Sequence, residues 1–579
     1  MKDGKLQVMD LFAGAGGLSN GFEQTNQFQV KIAVEINENA RKTYLENHPY
    51  LNEELFHKDI TKLVYKDEDS ILKDEYQDID VIIGGPPCQG FSNANRQKNT
   101  LISSNNQLVK EYLRAIEEIK PKAFIMENVR TLESEKHKFF ISKDDEKELA
   151  ELGLEPDGEI IKIGNVTNNF ESLRCFLMNK YNNGDSLSKY IIDKDVFSKL
   201  NSLLRHAKNQ TVSELKNFLN KQNNKKYFSK IVNSKWKGIH DKFWEESYKT
   251  SWNLLGENLK KILEDEEICV KEFSDILEEI IETQKVINKI SEIIQNKIKL
   301  FTDIDISGDS FVIHIKSYNV FSYIKAKISS LGYKFNEENY IFNSAMFGVP
   351  QERRRLILIG VLEEIREGEP VKIPEAIFKN NKRKEYYKIH DAIKDLEKLL
   401  PSTDVKDDEI YRGDTKPLSD SPLNMYLNNN ENNLIYNHVR TDSREIAQQR
   451  FEALTAGQNF HNLKDSLKTT YSDHSRTQNT IYKRLDYNEP SDTVLNVRKS
   501  MWIHPTIDRA ISIREAARLQ SFQDNYKFLG PKDSQYQQVG NAVPPLMARF
   551  VAESLLESLG IVVENKIIDI IQPAKKILN

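Results

Sequence analysis

Residues 5–17, Lys-Leu-Gln-Val-Met-Asp-Leu-Phe-Ala-Gly-Ala-Gly-Gly, decide the fold class of this chain. Residues 5–12 have the apolar density of a buried strand, 13–17 form a tight glycine turn, and a helix is expected from Leu18 onward. Residues 29–35 read as a second strand, so the chain opens with a βαβ unit of the nucleotide-binding kind, and the expected class is α/β. Open α/β sheets keep their ligands at the carboxyl ends of the strands. Each later motif is therefore judged by whether it falls at such an end.

The next one does. Asp80-Val81-Ile82-Ile83 reads as a buried parallel strand, and Gly84-Gly85-Pro86-Pro87-Cys88-Gln89-Gly90-Phe91-Ser92 follows it directly. Most free cysteines are packed core residues. Here two prolines and two glycines commit the backbone to displaying Cys88, which makes it a candidate nucleophile. Residues 107–120 carry a helical apolar period, and 123–126 are a further buried strand ending at Glu127-Asn128. Two motif-bearing loops thus follow successive strands.

With 579 residues the chain exceeds what one hydrophobic core supports, and at least two domains are expected. The N-terminus shows no signal-peptide pattern and no segment approaches the apolar length of a membrane span, which points to a cytoplasmic protein. Cys88, Cys175 and Cys269 are far apart and lack CxxC spacing, so neither a disulfide framework nor a metal site is expected. A net charge of −5 means that any hold on nucleic acid must come from local basic patches.

Residues 1–130 thus form the first part of an α/β domain. Over 131–317 the composition turns to Lys, Asn and Glu with long helical stretches such as 274–300, and a mostly helical insertion is expected. Strand and helix patterns return over 318–361. Residues 362–502 are irregular and are expected to form a loop-rich second domain, after which 503–579 return to the sheet through helices at 512–522 and 545–559.

A strand, a G-x-G-G turn, a helix and then Glu35 about 20 residues on form a layout that binds adenosine-bearing ligands, the glycines admitting backbone and the carboxylate taking ribose hydroxyls. NAD or FAD is the competing reading. The turn is not G-x-G-x-x-G, and Asp10 just before it would repel a pyrophosphate yet accept from an ammonium, which favours S-adenosylmethionine. Asp59 could accept from an adenine amino group while Ile60 packs on the ring, or Asp59 could simply cap the following turn.

Glu127 at a strand end is placed for a pocket, where a carboxyl on a ring nitrogen would make a ring carbon more open to a thiolate. In Gln351-Glu352-Arg353-Arg354-Arg355, alternation puts Arg353 and Arg355 on one face and Arg354 on the other, so two guanidinium forks could hold a carbonyl oxygen. Residues 538–545, Gln-Val-Gly-Asn-Ala-Val-Pro-Pro, read as loop then helix. Within the insertion, Lys225, Lys226, Lys230, Lys235 and Lys237 interleave with Tyr227, Phe228, Trp236 and Phe243. That pattern suits a nucleic-acid surface, or a solvated helical face whose apolar side packs inward.

Taken in order, the segments at 10–17, Glu35, Asp59, 85–92, Glu127-Asn128-Val129, 351–355, 514–520 and 538–545 resemble the DNA cytosine carbon-5 methyltransferase family of bacterial restriction-modification type. The resemblance covers roughly residues 1–130, 318–361 and 503–560. It implies a Rossmann-like, S-adenosylmethionine-dependent methyltransferase sheet and a smaller target-recognition domain, assigned to 362–502. It further implies sequence-specific methylation of carbon 5 of a flipped-out cytosine in double-stranded DNA, protecting that DNA from a partner restriction endonuclease, by a monomer. By this likeness Cys88 attacks carbon 6, Glu127 engages ring N3 and the exocyclic amine, and Arg353 and Arg355 hold the base and its oxygen. Asp10, Phe12, Ala13, Gly14, Gly16, Gly17, Leu18, Glu35, Asp59, Ile60, Pro87, Asn541 and Val543 would line the cofactor pocket. Relatives acting on tRNA tend to follow Cys-Gln with Pro-Phe-Thr, whereas this chain has Gly90-Phe91-Ser92. It departs from the compact family pattern in the long insertion between Val129 and Gln351.

Overall fold

The structure is a computed structural model that describes residues 4–65, 73–87, 104–167, 170–208, 212–234, 236–379, 382–406, 409–413, 417–418, 420–428, 433–469 and 477–572. The chain forms two compact units, one of Met1–Cys88, Asn105–Glu133 and Lys327–Asn579, the other of Gln89–Ser104 and Ser134–Ala326.

In the first unit β1 (Leu6–Leu11), β2 (Phe28–Val34), β3 (Phe56–His57), β4 (Val81–Gly84) and β5 (Ala123–Val129) pair in parallel. The second unit then contributes β6 (Lys138–Phe140), β7 (Asp157–Asn165), β8 (Asp305–Ser307) and β9 (Ser310–Asn319), all antiparallel. On its return the chain adds β10 (Tyr333–Phe335), β11 (Ile341–Asn343) and β12 (Arg354–Leu362) to the first sheet, whose order is β10-β12-β5-β4-β1-β2-β3 with β11 also on β12. The central strands are apolar without alternation because both faces are covered: Val8, Ile82, Ile125 and Leu358 are all sealed from solvent.

Two glycines let the C-terminal segment close on the N-terminal turn. A Cβ on Gly17 would lie 2.3 Å from the Val543 carbonyl oxygen, and one on Gly21 would lie 2.4 Å from the Ala548 Cβ. The helix Gly17–Glu23 therefore lies backbone-close against the helix Pro545–Ser558.

Residues 362–502 do not stand apart from the sheet. Ile389, Leu423, Leu427, Val439, Leu485 and Trp502 join the same core as the sheet residues, while Phe451, Phe460 and Tyr482 form a small cluster of their own. Their apolar side chains are too irregularly spaced to announce this in sequence. A buried ionic network fastens them: Arg518 meets Asp395 at 2.7 Å and Asp524 at 2.5 Å, and Arg412 meets the same two carboxylates at 2.8 and 2.9 Å.

The second unit is richer than the helical insertion expected for 131–317. The helices Lys194–Lys208, Gln222–Ser234, Glu246–Leu263 and Val270–Gln295 share a core, and the last continues through Val286 and Ile290 onto a four-stranded sheet with Ile163 and Ile313. Strand β9 turns Phe311, Ile313 and Ile315 inward at period two, a signal submerged in the surrounding Lys, Asn and Glu. Trp236 and Trp252 stack 3.9 Å apart, each indole N–H donating to the other's carbonyl at 2.9 Å.

Burial opposes ionisation of Asp395, but the Arg518 charge and hydrogen bonds from Arg412 and Asn424 overcome it and hold the carboxyl at about 2. Asp395→Asn leaves two guanidiniums facing one carboxylate, and the expected cost is about 3–5 kcal/mol, read as a lower urea midpoint at neutral pH. The native pKa is lowered, so this stability is present above the unfolded value of 3.8 and is lost as pH falls through about 2. The gap between variant and wild type should therefore narrow in acid. An unchanged midpoint at neutral pH would contradict the role given to Asp395.

Candidate active site at the strand ends

The β5–β12 ladder sets Arg355 opposite Val129 and Ile357 opposite Glu127, which makes Glu127 and Arg355 diagonal neighbours on one side of the sheet. Arg355 Nε lies 2.8 Å from Glu127 Oε1, with the two side chains 14% and 13% exposed. Arg355 Nη1 donates to the Arg354 carbonyl at 2.9 Å. The second carboxylate oxygen, Oε2, lies toward Gly85, where a Cβ would come within 2.9 Å of it. A residue with a side chain could not cross there without displacing the carboxylate.

Asn128 holds the base of the same loop. Its buried amide nitrogen donates to the Pro86 carbonyl at 2.8 Å, while its Oδ1 accepts from the Val129 N–H at 2.8 Å. The sequence motif does not assign Asn128 a role; an amide at a strand end beside a Pro-Pro loop is the signal for such a clamp. Pro87 is half-buried at the end of this described stretch. Cys88 and Gln89 through Ser92 lie outside the described residues.

Arg353 and Arg355, expected to act together, have different surroundings. Arg353 is 2% exposed and its Nη1 donates to the carbonyls of Val494 and Gly540, each at 3.1 Å. Burial and the neighbouring Arg355 charge push its pKa well below the ordinary guanidinium value, with Glu127 opposing. Alternation placed the two arginines in one neighbourhood, but remote carbonyls take Nη1 of Arg353. It braces the strand end, and Arg355 alone reaches the partly open face.

The glycine turn is built from three left-handed residues, Phe12 at φ 58°, Gly14 at 57° and Gly16 at 84°. The Gly14 N–H donates to Glu35 Oε2 at 2.8 Å and the Asn37 N–H to Oε1 at 2.7 Å. Two backbone amides thus orient the Glu35 carboxylate beside Ile36, which is 76% exposed. The space off Gly14 is open, its nearest neighbour being the Phe12 carbonyl oxygen at 4.0 Å. Ala13 and Leu18 are buried, Val543 closes on Gly17, and Asn541 is exposed with its Oδ1 accepting from Gln537 at 2.7 Å. Tyr526, missed in sequence because its partner is more than 500 residues away, donates its hydroxyl to the Ala15 carbonyl.

Of the two readings open for Asp59, the structure shows the cap. Asp59 Oδ1 caps the following turn, accepting from the Thr61 hydroxyl at 2.7 Å and the Thr61 N–H at 3.1 Å, and these bonds lower its pKa. Oδ2 faces Lys62 Nζ at 3.9 Å, with Ile60 buried beside it. Asp10 is 1% exposed and accepts from the Tyr44 hydroxyl at 2.9 Å. It belongs to a cluster beneath the turn, where Tyr44 stacks on His48 at 4.0 Å and His48 Nε2 lies 3.4 Å from Glu23 Oε2. Burial pushes Asp10 and Glu23 each up to about 7 and His48 down to about 4.

A sheet of this order, with a carboxyl, an arginine and a glycine turn at its strand ends, has the form of a methyltransferase domain. A model of the family described as C-5 cytosine-specific DNA methylase matches residues 6–306 and 310–557, and the chain belongs to that family of S-adenosylmethionine-dependent DNA (cytosine-5) methyltransferases. It is 23% identical over 554 residues to the Type II methyltransferase M1.HphI of Haemophilus parahaemolyticus, covering 95% of this chain and 87% of that one. Against the Type II methyltransferase M.DdeI of Desulfomicrobium norvegicum the identity is 29% over 247 residues, 40% of this chain and 56% of that relative. Against M.XorII of Xanthomonas oryzae pv. oryzae it is 41% over 135 residues, 23% of this chain and 31% of that relative. Among the described residues no helix is long and apolar enough to cross a membrane.

A pH dependence follows from Asp10. Its folded pKa is raised, so its contribution to stability is fully present below 3.8 and is lost as pH rises through about 7. Asp10→Asn keeps an acceptor for the Tyr44 hydroxyl and removes the titration. The melting temperature of the variant relative to wild type should be higher at pH 8 than at pH 5 by about a few degrees. An equal difference at both would exclude a buried, titrating Asp10.

Proposed function

We propose that this chain transfers a methyl group from S-adenosylmethionine to carbon 5 of a flipped-out cytosine in duplex DNA, at a sequence selected by residues 362–502, and so shields cytoplasmic DNA from a partner restriction endonuclease. The observation that carries this reading is the Glu127–Arg355 pair, set against Gly85 at the foot of the loop that leads to Cys88.

S-adenosylmethionine, when bound, supplies an electrophilic methyl group. The turn suits it: Phe12, Ala13, Gly14 and Gly16 offer backbone, Glu35 offers fixed carboxylate oxygens for ribose hydroxyls, and Ile36 and Ile60 offer apolar walls. Asp59 through Oδ2, Pro87, Asn541 and Val543 complete the lining, with Gly17 and Leu18 as its support.

The cytosine must leave the stack because a thiol has to approach carbon 6 from above the ring plane. Arg355 orients Glu127, whose carboxyl group shares a proton with ring N3 and accepts from the exocyclic amine, drawing electron density from carbon 6. The Cys88 thiolate adds to carbon 6, forming a carbon–sulfur bond and making carbon 5 the nucleophile that takes the methyl group. Loss of the carbon 5 proton restores the 5,6 double bond and expels the thiolate. Arg355 holds the base oxygen throughout.

The test is transfer of labelled methyl groups to duplex DNA. Cys88→Ser should abolish it, and Glu127→Gln should lower kcat by roughly 10²–10⁴ while S-adenosylmethionine binding by calorimetry persists. Continued transfer by the serine variant would remove Cys88 as nucleophile. Methylation of tRNA with none of duplex DNA would reassign the substrate, and bisulfite sequencing of DNA from expressing cells reports the target.

A further inference from the structure

The second unit presents a face that takes no part in this chemistry. Between Glu214 and Asp241 the chain carries seven lysines and no acidic residue, in a molecule of net charge −5. The aromatic residues of that stretch do not form a stacking surface: Phe228 and Trp236 are buried in the helical core, and Phe218 and Tyr227 pack against it. What remains outside is charge. Lys221, Lys225, Lys226, Lys230 and Lys237 are exposed, and none has a carboxylate within ion-pair distance among the described residues.

Elsewhere on this unit several lysines have carboxylate partners, Lys180 with Asp185 at 2.7 Å, Lys249 with Glu246 at 2.8 Å and Lys299 with Glu146 at 2.6 Å. On the helix Gln222–Ser234, Lys226 and Lys230 stand one turn apart on the outward side with neutral Gln222, Ser229 and Asn233 around them. Like charges at that spacing destabilise a helix, and the helix itself carries no acid to relieve them. A face merely solvated would be expected to carry the mixed signs found on the rest of the unit.

We infer that this lysine face binds the phosphate backbone of duplex DNA without reading its sequence. The inference rests on duplex DNA being the substrate proposed above. Lysine ammonium groups are point charges suited to phosphates, whereas base readout calls for planar forks and single strands call for exposed aromatic platforms, which this face lacks. Its contribution is salt-dependent hold on DNA of any sequence.

The experiment uses the full chain and short DNA duplexes, with affinity followed by fluorescence anisotropy across a salt series. Replacing Lys225, Lys226, Lys230 and Lys237 together by Gln should lower the slope of log affinity against log salt by about 0.9 for each lysine in contact, equally for target and non-target duplexes. The matching four-fold replacement by Arg should keep the wild-type slope, and Gln at the paired Lys180 and Lys249 should leave it unchanged. An unchanged slope in the first variant, with wild-type methyl transfer at low salt, overturns the inference and leaves the enzyme reading standing. Absence of methyl transfer in the wild type, with lysine-dependent DNA binding intact, overturns the enzyme reading and not this face. Loss of binding to RNA or to anionic vesicles but not to DNA overturns the choice of partner.

Discussion

The antiparallel ladder between β5 and β12 is the constraint on which the rest of the molecule depends. It runs from Arg355 opposite Val129 to Val361 opposite Ala123 and joins chain segments more than 200 residues apart. The entropy of closing such a loop grows only with the logarithm of its length, about 0.6 kcal/mol per doubling, so a second compact unit can occupy it at little extra cost. The ladder's Ile and Leu side chains are sealed from solvent, which outweighs that cost and defines one register. A slip of one residue would turn Arg355 to the opposite face and dissolve its pairing with Glu127.

The same economy of long-range closure governs the glycine turn. Gly17 and Gly21 admit the segment at Val543 to Ala548, Tyr526 fastens the Ala15 carbonyl, and Arg353 gathers carbonyls from Val494 and Gly540. Gln351 adds a bond to Gln520 at 2.7 Å and takes one from the Val494 N–H at 2.6 Å. The strand-end groups are therefore held by partners from the start, the middle and the end of the chain. Local flexibility in any one segment is restrained by the other two.

Much of this was legible in sequence, and for a physical reason. Strands buried on both faces read as apolar runs, so β1, β4, β5 and β12 announced themselves, and Glu35 and Glu127 stand at the ends of β2 and β5. Orientation was not legible. In β1 neither face is polar, so nothing in the pattern tells whether Asp10 looks toward the turn's open side or beneath it; it looks beneath, onto Tyr44. For Asp59 two readings were open, and the local cap through Thr61 takes one oxygen. Alternation grouped Arg353 with Arg355, but the carbonyls that occupy Arg353 come from residues more than 100 positions away. The aromatic residues among the insertion's lysines went to the core because a helical bundle has apolar stripes to fill, and β9 was lost in the composition around it.

Three charged clusters in the first unit show how burial sorts their tasks. The Arg412–Arg518–Asp395–Asp524 network is closed and balanced, which makes it a fastening. In the Asp10, Glu23 and His48 cluster burial outweighs every other influence, so it responds by shifting its protons, two carboxyls up and one imidazole down. The Glu127–Arg355 pair is neither sealed nor fully wet. Sealed, its carboxyl could not exchange a protein partner for a ligand; fully exposed, its orientation would be lost to solvent screening. With one oxygen held by Arg355 and the other left over Gly85, the carboxyl is oriented before any ligand arrives, which is the condition under which an electrostatic contact lowers a barrier without first being reorganised.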